Sequence, residues 1–143
     1  MREWWTPADG KSFEERAACI DQQYGGYTAV ADVKLNGRLT LGENAADNGG
    51  VRLAWMALME MLKTRPLAAA DGFTPEQRFF VGWGQMWCEN RSDEIARLQA
   101  QTDPHSPGKY RTNGVVSNMP EFAKAFACPA NARMVKQPVC RVW

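Results

Sequence analysis

Residues 36–63 read NGRLTLGENAADNGGVRLAWMALMEMLK, and this stretch decides the fold class. From about Glu43 to Lys63, apolar residues recur three or four positions apart, which predicts an amphipathic helix that ends at Pro66. The residues of this apolar stripe are Val51, Trp55, Leu58 and Leu62. The Gly49-Gly50 pair lowers helix propensity, so we expect another part of the chain to pack very close to that turn.

Apolar and polar residues alternate just before this helix, from Val33 to Leu41. The Asn36-Gly37 pair lies between the alternating halves, and this dipeptide favours two-residue hairpin turns. We therefore expect a short β-hairpin with its turn at Asn36-Gly37.

Four further helices are predicted from residues whose side chains can cap a first turn. They begin at Ser12, Thr74, Ser92 and Asn118. Residues 103–114 contain two prolines and two glycines, which predicts a loop. The expected fold class is mainly α, with about five helices and one short β-hairpin.

Length and charge exclude several classes of protein. The 143 residues are enough for one domain, and the net charge of +1 gives no general attraction to nucleic acid, so we expect no nucleic-acid partner. No apolar run approaches the roughly 20 residues that span a bilayer, and no signal peptide is visible.

The cysteines indicate an oxidising compartment. Cys19, Cys88, Cys128 and Cys140 are too far apart in sequence for a C-x-x-C metal or redox site. An even number of cysteines without metal-site spacing suggests disulfides, and therefore an extracytoplasmic location.

Glu43 and Asp47 are the first candidate site residues. They are four positions apart at the start of the long helix, so both carboxylates lie on one face and repel each other. A metal ion, a histidine or an arginine would explain the pair. Acidic residues also stabilise helix N-termini without any ligand, so the residues alone leave both interpretations open.

His105 is the second candidate and the only histidine. It lies between Pro104 and Pro107, which restrict the backbone, but a single loop histidine is more often a solvated side chain. A thiol–imidazole pair with Cys88 is disfavoured, because Cys88 is expected to lie in a helix rich in buried aromatic residues, where a thiol is usually inert or bridged. One histidine cannot supply a two-histidine zinc site.

Several long motifs occur in a fixed order along the whole chain. They are the quoted NGRLTLGENAADNGG, then FFVGWGQMWC at 79–88, DPHSPGKYRTN at 103–113, FAKAFAC at 122–128 and CRVW at 140–143. In this order they resemble the C-terminal part of the neprilysin and endothelin-converting-enzyme family of zinc metalloendopeptidases. The resemblance implies the C-terminal portion of a thermolysin-like catalytic domain.

The resemblance also implies roles for five residues. Glu43 matches the third zinc ligand, and Asp47 matches the residue that orients a ligating histidine. His105 matches the histidine that stabilises the oxyanion when water attacks the peptide carbonyl. Arg111 matches an arginine that binds a substrate backbone carbonyl, and Trp87 matches a residue that lines the pocket for the side chain after the scissile bond.

One family motif is absent from the sequence. The family takes two histidine ligands and a glutamate base from H-E-x-x-H, which precedes the third ligand and does not occur here. Residues 1–143 are therefore expected to be a single C-terminal peptidase subdomain, truncated upstream of that helix. We expect this chain alone to retain no zinc and to be inactive, and its partners to be peptide substrates and the missing N-terminal lobe. Self-association through the exposed apolar face is a further expectation.

The resemblance pairs Cys19 with Cys140. It matches Cys88 and Cys128 to cysteines that bond to the N-terminal lobe, so both are expected to be free or wrongly paired in this chain. The intact protein is expected to be secreted, periplasmic or the ectodomain of an anchored protein.

Two other functions remain as alternatives. A non-catalytic helical module could bind peptides or proteins through a former cleft, but it would not need all four of Glu43, Asp47, His105 and Arg111. An unrelated small disulfide-bonded binding domain would make every matched motif a coincidence.

Overall fold

Residues 4–143, the part described by the computed structural model, form six α-helices and one two-stranded antiparallel sheet. In chain order the elements are α1 (Pro7–Gly25), β1 (Thr28–Val30), β2 (Val33–Lys34), α2 (Leu41–Thr64), α3 (Pro75–Met86), α4 (Asp93–Thr102), α5 (Gly108–Val116) and α6 (Pro120–Ala125). The mainly helical class with one short hairpin is confirmed. Within these residues, no helix is long and apolar enough to cross a bilayer.

The capping residues predict α3 and α4 correctly and α1 incorrectly. Thr74 and Ser92 accept hydrogen bonds from the first turns of α3 and α4, as predicted. Helix α1 instead begins at Pro7, because Thr6 and Asp9 form a reciprocal capping box that precedes Ser12.

The hairpin turn lies earlier than predicted. Val30 pairs with Val33, so the chain reverses at Ala31-Asp32, where Ala31 adopts φ 46°. Asn36 instead begins the turn that leads into α2, because its Oδ1 accepts a hydrogen bond from Leu39 N at 2.9 Å. The Asn36-Gly37 pair thus belongs to the turn before α2 and not to the hairpin.

Helix α5 occupies most of the segment predicted to be a loop, which raises the number of helices to six. Tertiary packing overrides the low helix propensity of its glycines. Tyr110 stacks on Tyr27 with ring centroids 4.4 Å apart, and Val115 and Val116 are almost completely buried.

Helix α6 is also capped differently from the prediction. It follows Met119, whose side chain makes no capping hydrogen bond. Asn118, the predicted cap, instead donates to Gln23 Oε1 at 2.8 Å and to Asn48 Oδ1 at 2.9 Å. It therefore joins α1 to α2 through hydrogen bonds between polar side chains.

Two hydrophobic clusters share α2. The first lies between α1, the sheet, the N-terminal turn of α2, α4, the start of α5 and the C-terminal tail. The second lies between the middle of α2, α3, the end of α5 and α6. Trp55 anchors the second cluster by stacking on Phe80 with ring centroids 4.9 Å apart. Because α2 belongs to both clusters, its first two turns have a fixed position against α1 and α5.

A disulfide fastens the C-terminal tail to α1, between Cys19 and Cys140, whose Cα atoms are 5.4 Å apart. Beyond it, the ring of Trp143 lies directly against Gly49, where a Cβ would overlap its Cδ1. Close packing at the glycine pair is therefore confirmed for Gly49. Gly50 instead faces open space, since none of the described residues would lie within 4 Å of a Cβ there.

Gly114 is expected to tolerate no side chain. A Cβ there would lie 2.5 Å from the hydroxyl oxygen and 2.6 Å from Cζ of Tyr24, which is fully buried. Gly114→Ala should lower the free energy of unfolding by about 1–3 kcal/mol, because the core cannot expand to admit a methyl group. Urea denaturation measures this loss.

Gly50→Ala is the matched control, because it places the same methyl group in open space on α2. It should raise the free energy of unfolding by up to about 1 kcal/mol through helix propensity. Equal effects of the two substitutions would contradict the close contact between Gly114 and Tyr24.

Candidate functional site

An arginine from α5 holds the two carboxylates of α2 together. Arg111 Nη2 donates to Asp47 Oδ1 at 2.7 Å and Nε donates to Oδ2, which forms a bidentate pair. The same Nη2 lies 3.3 Å from Glu43 Oε2. Of the explanations that the sequence leaves open for the repelling carboxylates, the structure supplies an arginine against both and a histidine beside Glu43.

The bidentate pair between Arg111 and Asp47 is largely shielded from water. The side chains of Arg111 and Asp47 are only 10% and 11% exposed, whereas that of Glu43 is 42% exposed. Hydrogen bonding to Asp47 holds the pKa of the Arg111 guanidinium above its ordinary value, although burial acts in the opposite direction. The guanidinium of Arg111 is therefore positively charged, and it lies at the buried side of the site.

Trp87 forms one wall of the site. The Cζ atom of Arg111 lies 4.0 Å from the centroid of the Trp87 ring, which is a cation–π contact. Trp83 packs edge-on against Trp87 and donates from Nε1 to the backbone oxygen of Arg111 at 3.2 Å. Helix α3 and the residue that follows it thus position the arginine from its side chain and from its backbone.

His105 lies beside Glu43 on the open side of the site. Its Nε2 is 3.5 Å from Glu43 Oε2, and its Nδ1 is 2.7 Å from Asp103 Oδ1. The backbone N–H of His105 also donates to that oxygen, and this bond is the main reason that the pKa of the Asp103 carboxyl lies below its usual value. Asp103 therefore fixes the orientation of the imidazole.

Sequence reasoning missed Asp103. The available signal was its spacing, because an aspartate two residues before a histidine in a proline-restricted loop can reach the ring nitrogen. It also missed Glu89, whose Oε1 accepts from Gly108 N at 2.7 Å and thereby holds the start of α5. Nothing in the sequence pattern distinguishes Glu89 from a solvated carboxylate.

The other cysteines lie outside this arrangement. Cys88 and Cys128 are free thiols, and the thiol of Cys88 is exposed. Both ring nitrogens of His105 face carboxylates, so the structure offers no support for a Cys88–His105 catalytic pair.

The described residues fit one ligand of a zinc site and not a whole site. Over residues 4–143, no group of three or more histidine, cysteine, aspartate or glutamate side chains could hold a metal ion. Zinc sites in proteins usually take at least three protein ligands, with histidine nitrogen common among them. The half-exposed carboxylate of Glu43 can supply one oxygen ligand.

Comparisons with known proteins identify the family to which the chain belongs. Residues 1–142 match peptidase family M13. The whole chain is 42% identical to Neprilysin-1 of Caenorhabditis elegans and 38% identical to endothelin-converting enzyme 1 of Rattus norvegicus, and it covers 20% and 19% of their lengths. The chain thus spans about a fifth of the length of the curated relatives that it matches.

A solved structure agrees in fold as well as in sequence. The zinc metalloprotease Zmp1 of Mycobacterium tuberculosis, in its open state, superimposes with a TM-score of 0.91 and 34% identity, over 99% of this chain and 23% of that protein. The resemblance that the motifs suggest is therefore confirmed, and this chain belongs to peptidase family M13.

Proposed function

We propose that this chain is the C-terminal part of a zinc endopeptidase that hydrolyses oligopeptides. The observation that carries the proposal is the meeting of Glu43, Asp47, His105 and Arg111 on one surface, from two helices and a loop. A module that only bound partners would have no physical need for this combination of groups.

Glu43 is the proposed zinc ligand of the chain. When bound, zinc polarises a peptide carbonyl and lowers the pKa of a bound water. The two histidine ligands and the general base would come from the N-terminal lobe of the same protein, since this chain has one histidine and no H-E-x-x-H. The chain alone is therefore proposed to retain no zinc and to be inactive.

His105 is proposed to stabilise negative charge on the substrate. When the ring carries both protons, Nδ1–H donates to Asp103, and Nε2–H lies on the open side of the site, 3.5 Å from Glu43 Oε2, an oxygen of the proposed zinc ligand. A positioned N–H donor stabilises an oxyanion more than water does, because it needs no reorganisation as charge develops. Asp103 supports this role by holding the ring in place.

Arg111 is proposed to bind a backbone carbonyl of the peptide. Its Nε and Nη2 are committed to the carboxylates, whereas Nη1 has no acceptor among the described residues. The guanidinium lies over the ring of Trp87, which is proposed to line the adjoining apolar pocket. A rigid donor beside an apolar wall suits an extended peptide.

Asp47 is proposed to serve two partners. Both of its oxygens accept hydrogen bonds from Arg111, but a carboxylate has about four acceptor positions and can also receive a histidine N–H. Asp47 can therefore orient a ligating histidine of the N-terminal lobe while it holds Arg111.

The disulfide and the exposed apolar side chains bear on the cellular location of the protein and on its partners. A stable disulfide fits an extracytoplasmic location. Exposed apolar side chains on and near α2 are proposed to pack against the N-terminal lobe, or against a second copy of this chain when the lobe is absent. Leu53 and Met56 on α2 are 67% and 54% exposed.

A chimera tests the proposed function. This chain would replace the matching C-terminal segment of Zmp1, and the product would be assayed for zinc content and for hydrolysis of a fluorogenic peptide. We expect a zinc-dependent peptidase whose rate falls at least about a hundredfold in Glu43→Ala, because even the partners of ligands are worth 10–100-fold.

Glu60→Ala is the matched control, since Glu60 is an exposed glutamate on the same helix and pairs only with Lys63 among the described residues. It should leave the rate and the zinc content unchanged. A folded, zinc-loaded chimera that is inactive, or one that keeps its activity in Glu43→Ala, would contradict the proposal. Peptide binding without cleavage would favour the non-catalytic module.

A further inference from the structure

One buried side chain anchors the loop that carries His105. Among residues 101–107, all of which the structure describes, Ser106 is the only buried residue, with 1% of its surface exposed. The imidazole of His105 is 49% exposed. An exposed ring takes its position largely from the backbone that carries it, so the anchor of this backbone decides where the ring lies.

The partner of Ser106 is Asn44 on α2. Ser106 Oγ donates to Asn44 Oδ1 at 2.8 Å, and Asn44 has no exposed surface. Asn44 Nδ2 donates to Thr40 Oγ1 at 2.9 Å, so both ends of the amide are used and its orientation is fixed. Breaking the bond between Ser106 and Asn44 would leave a buried donor and a buried acceptor without partners, which is unfavourable.

This buried bond runs beside an exposed contact between the same two segments. Glu43 precedes Asn44, and His105 precedes Ser106. The segments are therefore joined twice, inside by the Ser106–Asn44 bond and at the surface by the contact between His105 Nε2 and Glu43 Oε2. Water competes strongly with the surface contact because both side chains are nearly half exposed. The buried bond is the one that can fix the distance.

We propose that the Asn44–Ser106 hydrogen bond is a positioning pair that holds the imidazole of His105 opposite the carboxylate of Glu43. Asn44 and Ser106 act through their neighbours, because their own side chains are buried beneath the site. The value of this arrangement for catalysis rests on the proposed function. The placement of the ring is a property of this chain and can be measured without any activity.

The lone histidine makes the test direct. In the NMR spectrum of the full chain, the ring protons of His105 are the only histidine ring signals, and Glu43→Gln should shift them at a fixed pH. In Ser106→Ala we expect the shift caused by Glu43→Gln to become smaller, because loss of one buried hydrogen bond raises the equilibrium constant for undocking of the loop roughly fivefold. Asn44→Ala removes the same bond from its other side and should give the same reduction.

Gln77→Ala is the control, because it removes a tertiary hydrogen bond to Ala125 O, 2.9 Å long, between α3 and α6. It should leave the shift caused by Glu43→Gln at its wild-type size. An undiminished shift in a folded Ser106→Ala chain would overturn the proposal. Ser106→Ala removes a single oxygen, so it decides the question even if Asn44→Ala fails to fold. An inactive chimera would leave this result standing, so failures of the two proposals are distinguishable.

Discussion

Replacing Cys19 and Cys140 together by serine is expected to lower the free energy of unfolding by about 4–5 kcal/mol. The disulfide spans 121 residues of a 143-residue chain, so its loss releases almost the whole unfolded chain from a cross-link. The chain-entropy model assigns its largest stabilisation to loops of this length. Urea denaturation measures the loss.

The native contacts around the bond add to this expectation. Cys140 is buried, and its backbone N–H donates to Asn118 Oδ1 at 3.0 Å in the network that joins α1 to α2. A released tail would also withdraw Trp143 from its place against Gly49. We therefore expect the loss of the disulfide to loosen contacts of α2 as well as those of the tail.

The control replaces the two free cysteines, Cys88 and Cys128, by serine in both the bridged and the unbridged chains. This change prevents thiol exchange and should itself alter the stability by less than about 0.5 kcal/mol at the exposed Cys88. A bridged chain and an unbridged chain that unfold within about 1 kcal/mol of each other would contradict the chain-entropy account.

Asp47→Ala is expected to lower the free energy of unfolding by about 3–5 kcal/mol. The substitution leaves the guanidinium of Arg111 nearly buried, with the more exposed Glu43 at 3.3 Å as its remaining anionic partner. The costly part of breaking such a pair is a buried charge that has lost its best-placed partner. Thermal and urea denaturation of the full chain measure the effect.

A double-mutant cycle separates the interaction energy between Asp47 and Arg111 from the other contacts that each substitution removes. Arg111→Met retains much of the packing on Trp87 and removes the charge, so Asp47→Ala/Arg111→Met should cost less than the sum of the two single substitutions. Glu60→Ala removes an exposed ion pair with Lys63 on the same helix and should cost less than about 1 kcal/mol. Additive effects in the cycle would show that the bidentate pair contributes nothing of its own.

The helices that are predicted correctly from sequence are those whose determining residues lie close together in the chain. Thr74 with Gln77 begins α3, and Ser92 begins α4, because each side chain caps the backbone three residues away. The apolar stripe of α2 is likewise a local pattern, and its members Val51 and Trp55 are buried as it predicts. Such interactions need no knowledge of the remainder of the chain.

The errors occur where a distant contact outweighs a local preference. Residues 108–114 have the composition of a loop, yet they are helical because Tyr110 stacks on Tyr27 and because Gly114 admits the ring of Tyr24. The hairpin turn lies at Ala31-Asp32, where the cross-strand pairing of Val30 with Val33 decides the register. Neither contact can be read from a short window of sequence.

The sequence by itself determined the helical class, the family and the identity of Glu43, Asp47, His105 and Arg111 as site candidates, because ordered motifs and helical periodicity are written in residue order. Only the tertiary structure decided how these groups are partnered. Arg111 reaches Asp47 across 64 residues, and Ser106 reaches Asn44 across 62. Such pairs form because packing of α2 against α5 and the neighbouring loop buries their polar atoms together, where only a matching partner can replace water.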